Sequence, residues 1–219
     1  MFVGIFNFNF SVRKMLTWCN LGLTVLTAGV ISELIFYYIK KFKRLSEQSE
    51  HINEVMFFTD KGYQCKGHCY NRVRCEKQSC SFRHMRRILE LLQKPNESLD
   101  ICIYLLTCQD FLDAIVKVYK KGIRVRIIAD ADMADGSGAQ IYTFMKYGIP
   151  VRMKKSPFLM HHKFFVIDNH ILATGSCNLT MQALTGNWDN ILITSVPELV
   201  KPFSEHFAQL WEEFSEFHL

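Results

Sequence analysis

The sequence predicts an α/β fold, a mixed sheet flanked by helices, with an N-terminal transmembrane helix and a small cysteine- and histidine-rich insert. Three observations carry this. From Leu99 onward, short apolar runs alternate with amphipathic stretches, with glycine or polar turns between them. From Leu16 to Ile39 the chain is apolar apart from Glu33. Between Cys65 and His84, thiols and imidazoles recur at spacings that suit a metal ion.

With 219 residues, 49% of them hydrophobic, the chain supports one domain with a substantial core plus an appendage. The expected divisions are a tail over 1–15, a membrane anchor over 16–39, a basic and polar linker over 40–51 and a catalytic domain over 52–219. A net charge of +5 leans toward polyanions, either nucleic acid or an acidic membrane surface, although many proteins without such partners are equally basic. No low-complexity tract and no convincing internal repeat is visible.

At ~1.5 Å per residue, Leu16–Ile39 is long enough for the ~30 Å hydrocarbon core of a bilayer. Glu33 lies near its C-terminal end, where a carboxylate costs less than at mid-bilayer. Trp18 sits toward one end and Tyr37-Tyr38 toward the other, as in interfacial aromatic belts. Arg13 and Lys14 precede the run, and Lys40, Lys41, Lys43 and Arg44 follow it. The larger basic cluster predicts a cytosolic downstream domain. A cleaved signal peptide is the competing reading, opposed by that cluster and by the length of the apolar run. A buried amphipathic helix is a third, opposed by the small polar face.

Arg44–His51 reads as a polar helical linker and Ile52–Phe58 as the first strand of the domain. Cys65, His68, Cys69, Cys75, Cys80 and His84 are candidate zinc ligands. Cys80 and His84 stand four apart ahead of the helical run MRRILELL, so one helix face would present both. The preferred set is Cys65, His68, Cys80 and His84, with Cys69 and Cys75 as substitutes. Such a site is structural, with no open position for substrate. A disulfide cluster is the alternative, disfavoured where the compartment keeps thiols reduced. The scattered Cys19, Cys102, Cys108 and Cys177 are assigned to packing. Lys66, Arg72, Arg74, Lys77, Arg83, Arg86 and Arg87 make the insert basic, with Tyr63, Tyr70 and Phe82 interleaved. That composition suits single-stranded nucleic acid, and a solvated basic face fits it equally well.

Beyond Pro95-Asn96 the alternation is regular. Strands are expected over Leu99–Leu106, Arg124–Ala129, Val151–Met153 and Ile191–Thr194. Helices are expected over Asp110–Lys121, ending at Gly122, and Ala139–Tyr147, stopped by Gly148, with a short one starting over Thr180–Leu184. Pro197–Phe217 is a long amphipathic helix with Leu199, Phe203, Phe207, Leu210, Trp211 and Phe214 inward. Asp130 and Asp132 are read as loop and helix-cap carboxylates rather than metal ligands.

Chemistry concentrates between Leu159 and Asn190. His161 and Lys163 precede the apolar run FFVI, which Asp168 closes; alternation puts the two on one face, and the run reads as buried on both sides. A turn at Asp168-Asn169 and a returning strand would bring Gly175 and Ser176 back beside His161. Each residue type then has a use at a phosphate. Histidine is a side chain that forms covalent intermediates. Lys163 neutralises non-bridging oxygens, and Ser176 and Asn178 donate hydrogen bonds to them. Gly175 lets backbone approach a ligand. By parity Asp168 faces away from His161, so it is expected to fix the turn, and His162 also lies on the opposite face.

His-x-Lys, four residues, Asp, six residues, Gly-Ser-x-Asn is a long pattern, and it resembles the signature of the phospholipase D superfamily, the HKD proteins. With one motif, the doubled His161-His162, the downstream Asn187-Trp188-Asp189-Asn190 and an N-terminal membrane segment, the chain is similar to the single-motif branch, mitochondrial cardiolipin hydrolase, known in insects as Zucchini. The resemblance implies a phospholipase D-like fold with His161, Lys163 and Asp168 as motif residues and a zinc-finger-like insert. It implies a homodimer, because single-motif members pair two copies: His161 of one attacks phosphorus and His161 of the other protonates the leaving oxygen, without a catalytic metal. Asp189 falls where relatives usually carry a glutamate that orients the nucleophile, one methylene shorter here. The implied partner is single-stranded RNA in piRNA biogenesis, with cardiolipin as the alternative, at the mitochondrial outer membrane facing the cytosol.

Overall fold

The computed structural model describes residues 29–41 and 52–216. The chain divides into two compact units, Met1–Glu50 and His51–Leu219. In the first, residues 29–41 form one helix (α1), with Val30, Ile31, Leu34, Ile35 and Phe36 all exposed. The expected tail, most of the membrane anchor and nearly all of the linker lie outside the described residues. Among the described residues no helix is long and apolar enough to cross a membrane.

The second unit runs β1 (Asn53–Phe58), α2 (Asp60–Tyr63), α3 (Lys66–Asn71), α4 (Ser81–Leu92), β2 (Ser98–Ile103), α5 (Gln109–Lys120), β3 (Arg124–Asp130), α6 (Ala131–Ala134), α7 (Ile141–Lys146) and β4 (Val151–Lys154). It continues with β5 (Lys163–Ile167), β6 (Ile171–Gly175), α8 (Met181–Gly186), β7 (Asp189–Thr194), α9 (Pro197–Glu213) and β8 (Ser215–Glu216). These strands make one 8-stranded sheet in the order β1-β7-β6-β5-β2-β3-β4-β8. It is mixed, since β2-β3 and β3-β4 pair in parallel and the other neighbours antiparallel.

Both faces of this sheet are covered, which is why its central strands carry no polar face. Ile101 and Ile103 of β2 and Phe165 and Ile167 of β5 point into the core shared with α4, α5, α7 and α8. Their alternates Cys102, Phe164 and Val166 point into a second core under α9, with Phe207 and Trp211. In that second layer Asp100 and its cross-strand partner Arg126 form a paired fork at 2.8 Å, and the guanidinium lies over Phe207 and Trp211. The charge is thus buried with a partner, which avoids the cost of an unpaired ion in apolar surroundings.

The expected strands and helices form, with boundaries moved by a few residues. Gly122 and Gly148 follow α5 and α7 with φ of 84° and 82°, the left-handed stop that a side chain resists. Thr180 caps α8 by accepting from Ala183 N at 3.0 Å. Asp130 caps α6 by accepting from Asp132 N and Met133 N, as expected of a cap. The final helix keeps the expected inward stripe from Phe203 onward and differs in its first turn and its length. Leu199 is exposed and Val200 is buried instead, because Val200 starts the stripe that continues through Phe207 and Trp211 at 3.6-residue spacing. The helix stops at Glu213, and β8 leaves it to pair with β4.

Candidate active site

The sheet brings the motif together at one end. β5 and β7 start there while β2, β3, β4 and β6 finish there, since β5 is antiparallel to both β2 and β6. His161 lies in the extended segment just before β5, and Lys163 is the first residue of that strand. The turn that returns the chain has φ of 52° at Asp168 and 51° at Asn169, and His170 N donates to Ile167 O at 2.8 Å. Aspartate and asparagine tolerate this left-handed pair better than other side chains with a Cβ.

His161 and Lys163 share one neighbour that the sequence did not single out. Tyr104, just past the end of β2, meets the His161 ring edge-on with centroids 4.5 Å apart. The Lys163 ammonium stands 4.7 Å from the centre of the same ring and donates to the His161 carbonyl at 2.7 Å. Tyr104 N donates to His162 O at 2.9 Å, which continues the β2–β5 ladder past the strand ends. The aromatic ring therefore sets the spacing between imidazole and ammonium. Once β2 and β5 are recognised as neighbours, a residue at the end of one must face a residue at the start of the other. That is the signal that could have found it.

Opposite them, Ser176 Oγ donates to Asp189 Oδ1 at 2.6 Å and Asn187 Nδ2 donates to Oδ2 at 3.1 Å. Asn190 N donates back to Ser176 Oγ at 3.2 Å. The carboxylate is held on both oxygens, and its charge is felt at Lys163. Burial depresses the Lys163 pKa below the ordinary lysine value, and the negative charge of Asp189 pulls it partly back up. Lys163 also lines a small pocket with Ile103, Thr174, Cys177 and Leu179. Asn178 is half-buried beside it, and its Oδ1 is buried with no hydrogen-bond partner.

Asp168, the third motif residue, sits at the far end of β5 and accepts from Asn96 N, Glu97 N and Ser98 N at 2.9, 2.8 and 2.7 Å. It ties the turn to the start of β2, the outcome that strand parity predicted. Gly175 is needed for chain packing. A Cβ there would stand 2.1 Å from the Asn190 carbonyl oxygen and 3.0 Å from Ile191 Cα, so β6 and β7 can approach only without it.

The cysteine-rich insert also rearranges. Cys65, His68, Cys75 and Cys80 offer ligand atoms all within 4.8 Å of one another. Cys65 and Cys75 sulfurs lie 4.0 Å apart, and Cys80 Sγ lies 3.6 Å from His68 Nδ1. Tetrahedral zinc with bonds of about 2.3 Å to sulfur and about 2.0 Å to nitrogen has ligand edges of about 3.5–3.8 Å, so this donor set fits the ion. Cys75 thus takes the place expected for His84. The helix explains this, since His84 lies inside α4 and its ring packs edge-on against Phe58 at 5.2 Å, whereas Cys75 sits in the loop between α3 and α4. Cys69 is buried outside the group. Burial, then the neighbouring thiols of Cys75 and Cys80, push the Cys65 thiol up, a cost that a bound cation would reverse.

Exposed apolar side chains rim the catalytic end of the sheet: Phe158 at 83%, Leu159 at 56% and Trp188 at 74%. Several basic residues of the insert are paired within the chain, Arg72 to Asp110, Arg86 to Glu90 and Arg87 to Glu54.

Residues 88–211 match the family described as cardiolipin synthase, PLD-like domain. A mitochondrial cardiolipin hydrolase of Chlamydomonas reinhardtii is 38% identical over 74% of this chain and 74% of its own length. That of Xenopus tropicalis is 34% identical over 91% of this chain and 93% of its own. That of Drosophila melanogaster is 28% identical over 84% and 85%. Among solved structures, a phospholipase D family member, Nuc from Salmonella typhimurium, superposes with a TM-score of 0.60 at 26% identity, covering 78% of this chain and all of that one. NucT from Helicobacter pylori, at 21% identity and a TM-score of 0.62, has the same fold.

Proposed function

The chain belongs to the phospholipase D superfamily, with relatives named mitochondrial cardiolipin hydrolases, and on that footing we propose that it is a membrane-anchored phosphodiesterase that works as a homodimer through a phosphohistidine. The observation that carries this reading is the His161–Tyr104–Lys163 arrangement facing the Ser176–Asp189 pair at one end of the sheet. A His161 ring nitrogen attacks phosphorus, forming an N–P bond as the P–O bond to the leaving group breaks. Lys163 neutralises the charge that gathers on the non-bridging oxygens, the work that a catalytic metal does elsewhere. The leaving oxygen needs a proton, and the chain carries one such motif, so the same histidine of a second copy supplies it. Water then attacks the phosphohistidine, with that second histidine as base, and frees His161.

The substrate proposed first is single-stranded RNA. Supporting it are the exposed Tyr63, Tyr70 and Trp188 as stacking surfaces and a net charge of +5. Among the described residues Arg74 and Lys77 have no ion-pair partner, which leaves them available to phosphate. Cardiolipin is the second reading, favoured by the exposed Phe158 and Leu159 beside the motif and by the names of the relatives. For either, the proposed place is the mitochondrial outer membrane, with the domain facing the cytosol. The insert would hold structural zinc through Cys65, His68, Cys75 and Cys80.

The test offers the purified full chain, with His161→Ala as control, end-labelled single-stranded RNA and cardiolipin vesicles in parallel. RNA cleavage absent from the variant supports the nuclease reading. Phosphatidic acid release with intact RNA replaces it by the lipase reading. Full activity in His161→Ala would remove the nucleophile assignment altogether.

A further inference from the structure

His162 and His206 present a second pair of metal-ligating side chains, on the face of the sheet opposite His161. Their Nε2 atoms lie 3.2 Å apart, one from the segment leading into β5 and one from α9. The ring centroids are 5.1 Å apart at 78°, so the rings draw together toward their Nε2 atoms. Two imidazole nitrogens bound at about 2.0–2.1 Å to one tetrahedral ion stand about 3.3–3.4 Å apart. The observed 3.2 Å, a hydrogen-bond distance between the metal-free rings, lies within about 0.1–0.2 Å of that spacing, so both nitrogens reach one centre with little movement. Their placement is also fixed by packing. The His162 ring lies against Phe164 at 5.7 Å, and Phe164 meets Phe203 at 5.0 Å and Phe207 at 6.5 Å, so an aromatic cluster locks α9 to β5 next to the pair. His162 is exposed and His206 half-exposed, which leaves room for water to complete the coordination.

We propose that His162 and His206 bind one divalent transition-metal ion of the zinc class, at a site separate from the cysteine cluster, and that the ion staples α9 to the start of β5. Without metal, one ring donates its Nε2 hydrogen to the other Nε2. Binding requires the donor ring to move that hydrogen to Nδ1, so both Nε2 lone pairs face the ion and no proton is released. The site is occupied only where free metal is plentiful, because two imidazoles and water hold zinc less firmly than four protein ligands do. Its consequence for turnover rests on the proposed role of His161, the residue next to His162. An ion there restrains the segment that His161 must use to reach phosphorus.

The experiment measures zinc uptake and thermal melting of the full chain in detergent at rising free zinc, comparing wild type with His206→Gln and His162→Gln. Wild type is expected to take up one equivalent more than either variant and to melt higher in excess zinc. Each variant should lack both the extra equivalent and the added melting temperature. Uptake by the cysteine cluster is common to all three proteins and cancels in the comparison. Equal uptake by wild type and His206→Gln would overturn the proposal, whatever the activity assay reports. Inhibition by excess zinc, relieved in His206→Gln, is read separately. Its absence, with uptake intact, would remove the link to His161 and leave the metal site standing.

Discussion

The Ser176 hydroxyl donates to Asp189 Oδ1 at 2.6 Å, which holds the carboxylate at the start of β7, at the same end of the sheet as Lys163 at the start of β5. The aspartate side chain is therefore held in place. Its two oxygens are taken by Ser176 and Asn187, and its charge acts on Lys163 through space.

A pH profile follows. Burial lowers the Lys163 pKa and Asp189 raises it, so the ammonium should be lost at a lower pH than an ordinary lysine's. Activity is thus expected to fall on the alkaline side before the usual lysine range. In Asp189→Asn that alkaline limb should move to still lower pH, because the group that favours the charged form is gone. The pH dependence of kcat/KM for both proteins is the measurement. An alkaline limb that stays in place, or moves up, would contradict the coupling.

Tyr104 offers a second test, through its ring. In Tyr104→Phe the aromatic face remains under Lys163 and against His161, and activity should stay within about twofold, as cation–π attraction needs the ring and not the hydroxyl. In Tyr104→Leu a contact worth about 0.5–2 kcal/mol is lost, and kcat should fall roughly 2- to 30-fold. Comparing the two separates the ring's placement of Lys163 from general disruption. An equal loss in both would point to the hydroxyl instead.

Sequence pattern carried most of the fold, for physical reasons that differ by element. The FFVI run of β5 had no polar face because both sides are buried, and period-2 alternation correctly put His162 on the side away from His161. Gly122 and Gly148 marked helix ends because only a left-handed φ closes those helices readily. What stayed hidden depended on neighbours far apart in the chain. Tyr104 is 57 residues before His161, counting from 161 back to 104, and only the β2–β5 pairing joins them. Cys75 displaced His84 because α4 turns His84 onto Phe58, a contact that no local spacing encodes. The two-residue β8 was missed for the same reason, since it exists only by pairing with β4.

Gly175→Ala should destabilise the domain without touching a reactive group. The added methyl meets the Asn190 carbonyl, which belongs to the adjoining strand and cannot swing aside as a flexible side chain could. Overpacking of this kind costs about 1–3 kcal/mol. A melting temperature lower by several degrees, with Ser176 and Asp189 displaced as a pair, is the expected result. An unchanged melting curve would mean that β6 and β7 separate more easily than their register suggests.

Asp168→Ala should behave as a structural variant, in contrast to His161→Ala. Three backbone N–H groups lose their shared carboxylate, at a cost of about 2–3 kcal/mol for bonds to a charged acceptor. The folded fraction should keep its turnover rate, because the carboxylate stands at the opposite end of β5 from His161. Active-site titration alongside thermal melting distinguishes a smaller active population from a slower one. A fully populated but slow enzyme would restore Asp168 to the reaction.

The insert predicts different fates for Cys75, a substitute ligand in the sequence reading, and His84, a preferred one. Cys75→Ser removes a sulfur from the group formed with Cys65, His68 and Cys80, so bound zinc should be lost and the 65–80 segment should become sensitive to protease. His84→Gln removes a ring that packs on Phe58 and lies outside that group, so zinc should be retained while the melting temperature falls through lost packing. Metal analysis of the two purified proteins decides between the sets. Zinc kept in Cys75→Ser and lost in His84→Gln would restore the ligand set first read from the sequence. Thiol burial points the other way, because burial pushes the Cys65 thiol up and a cation beside it would favour the thiolate.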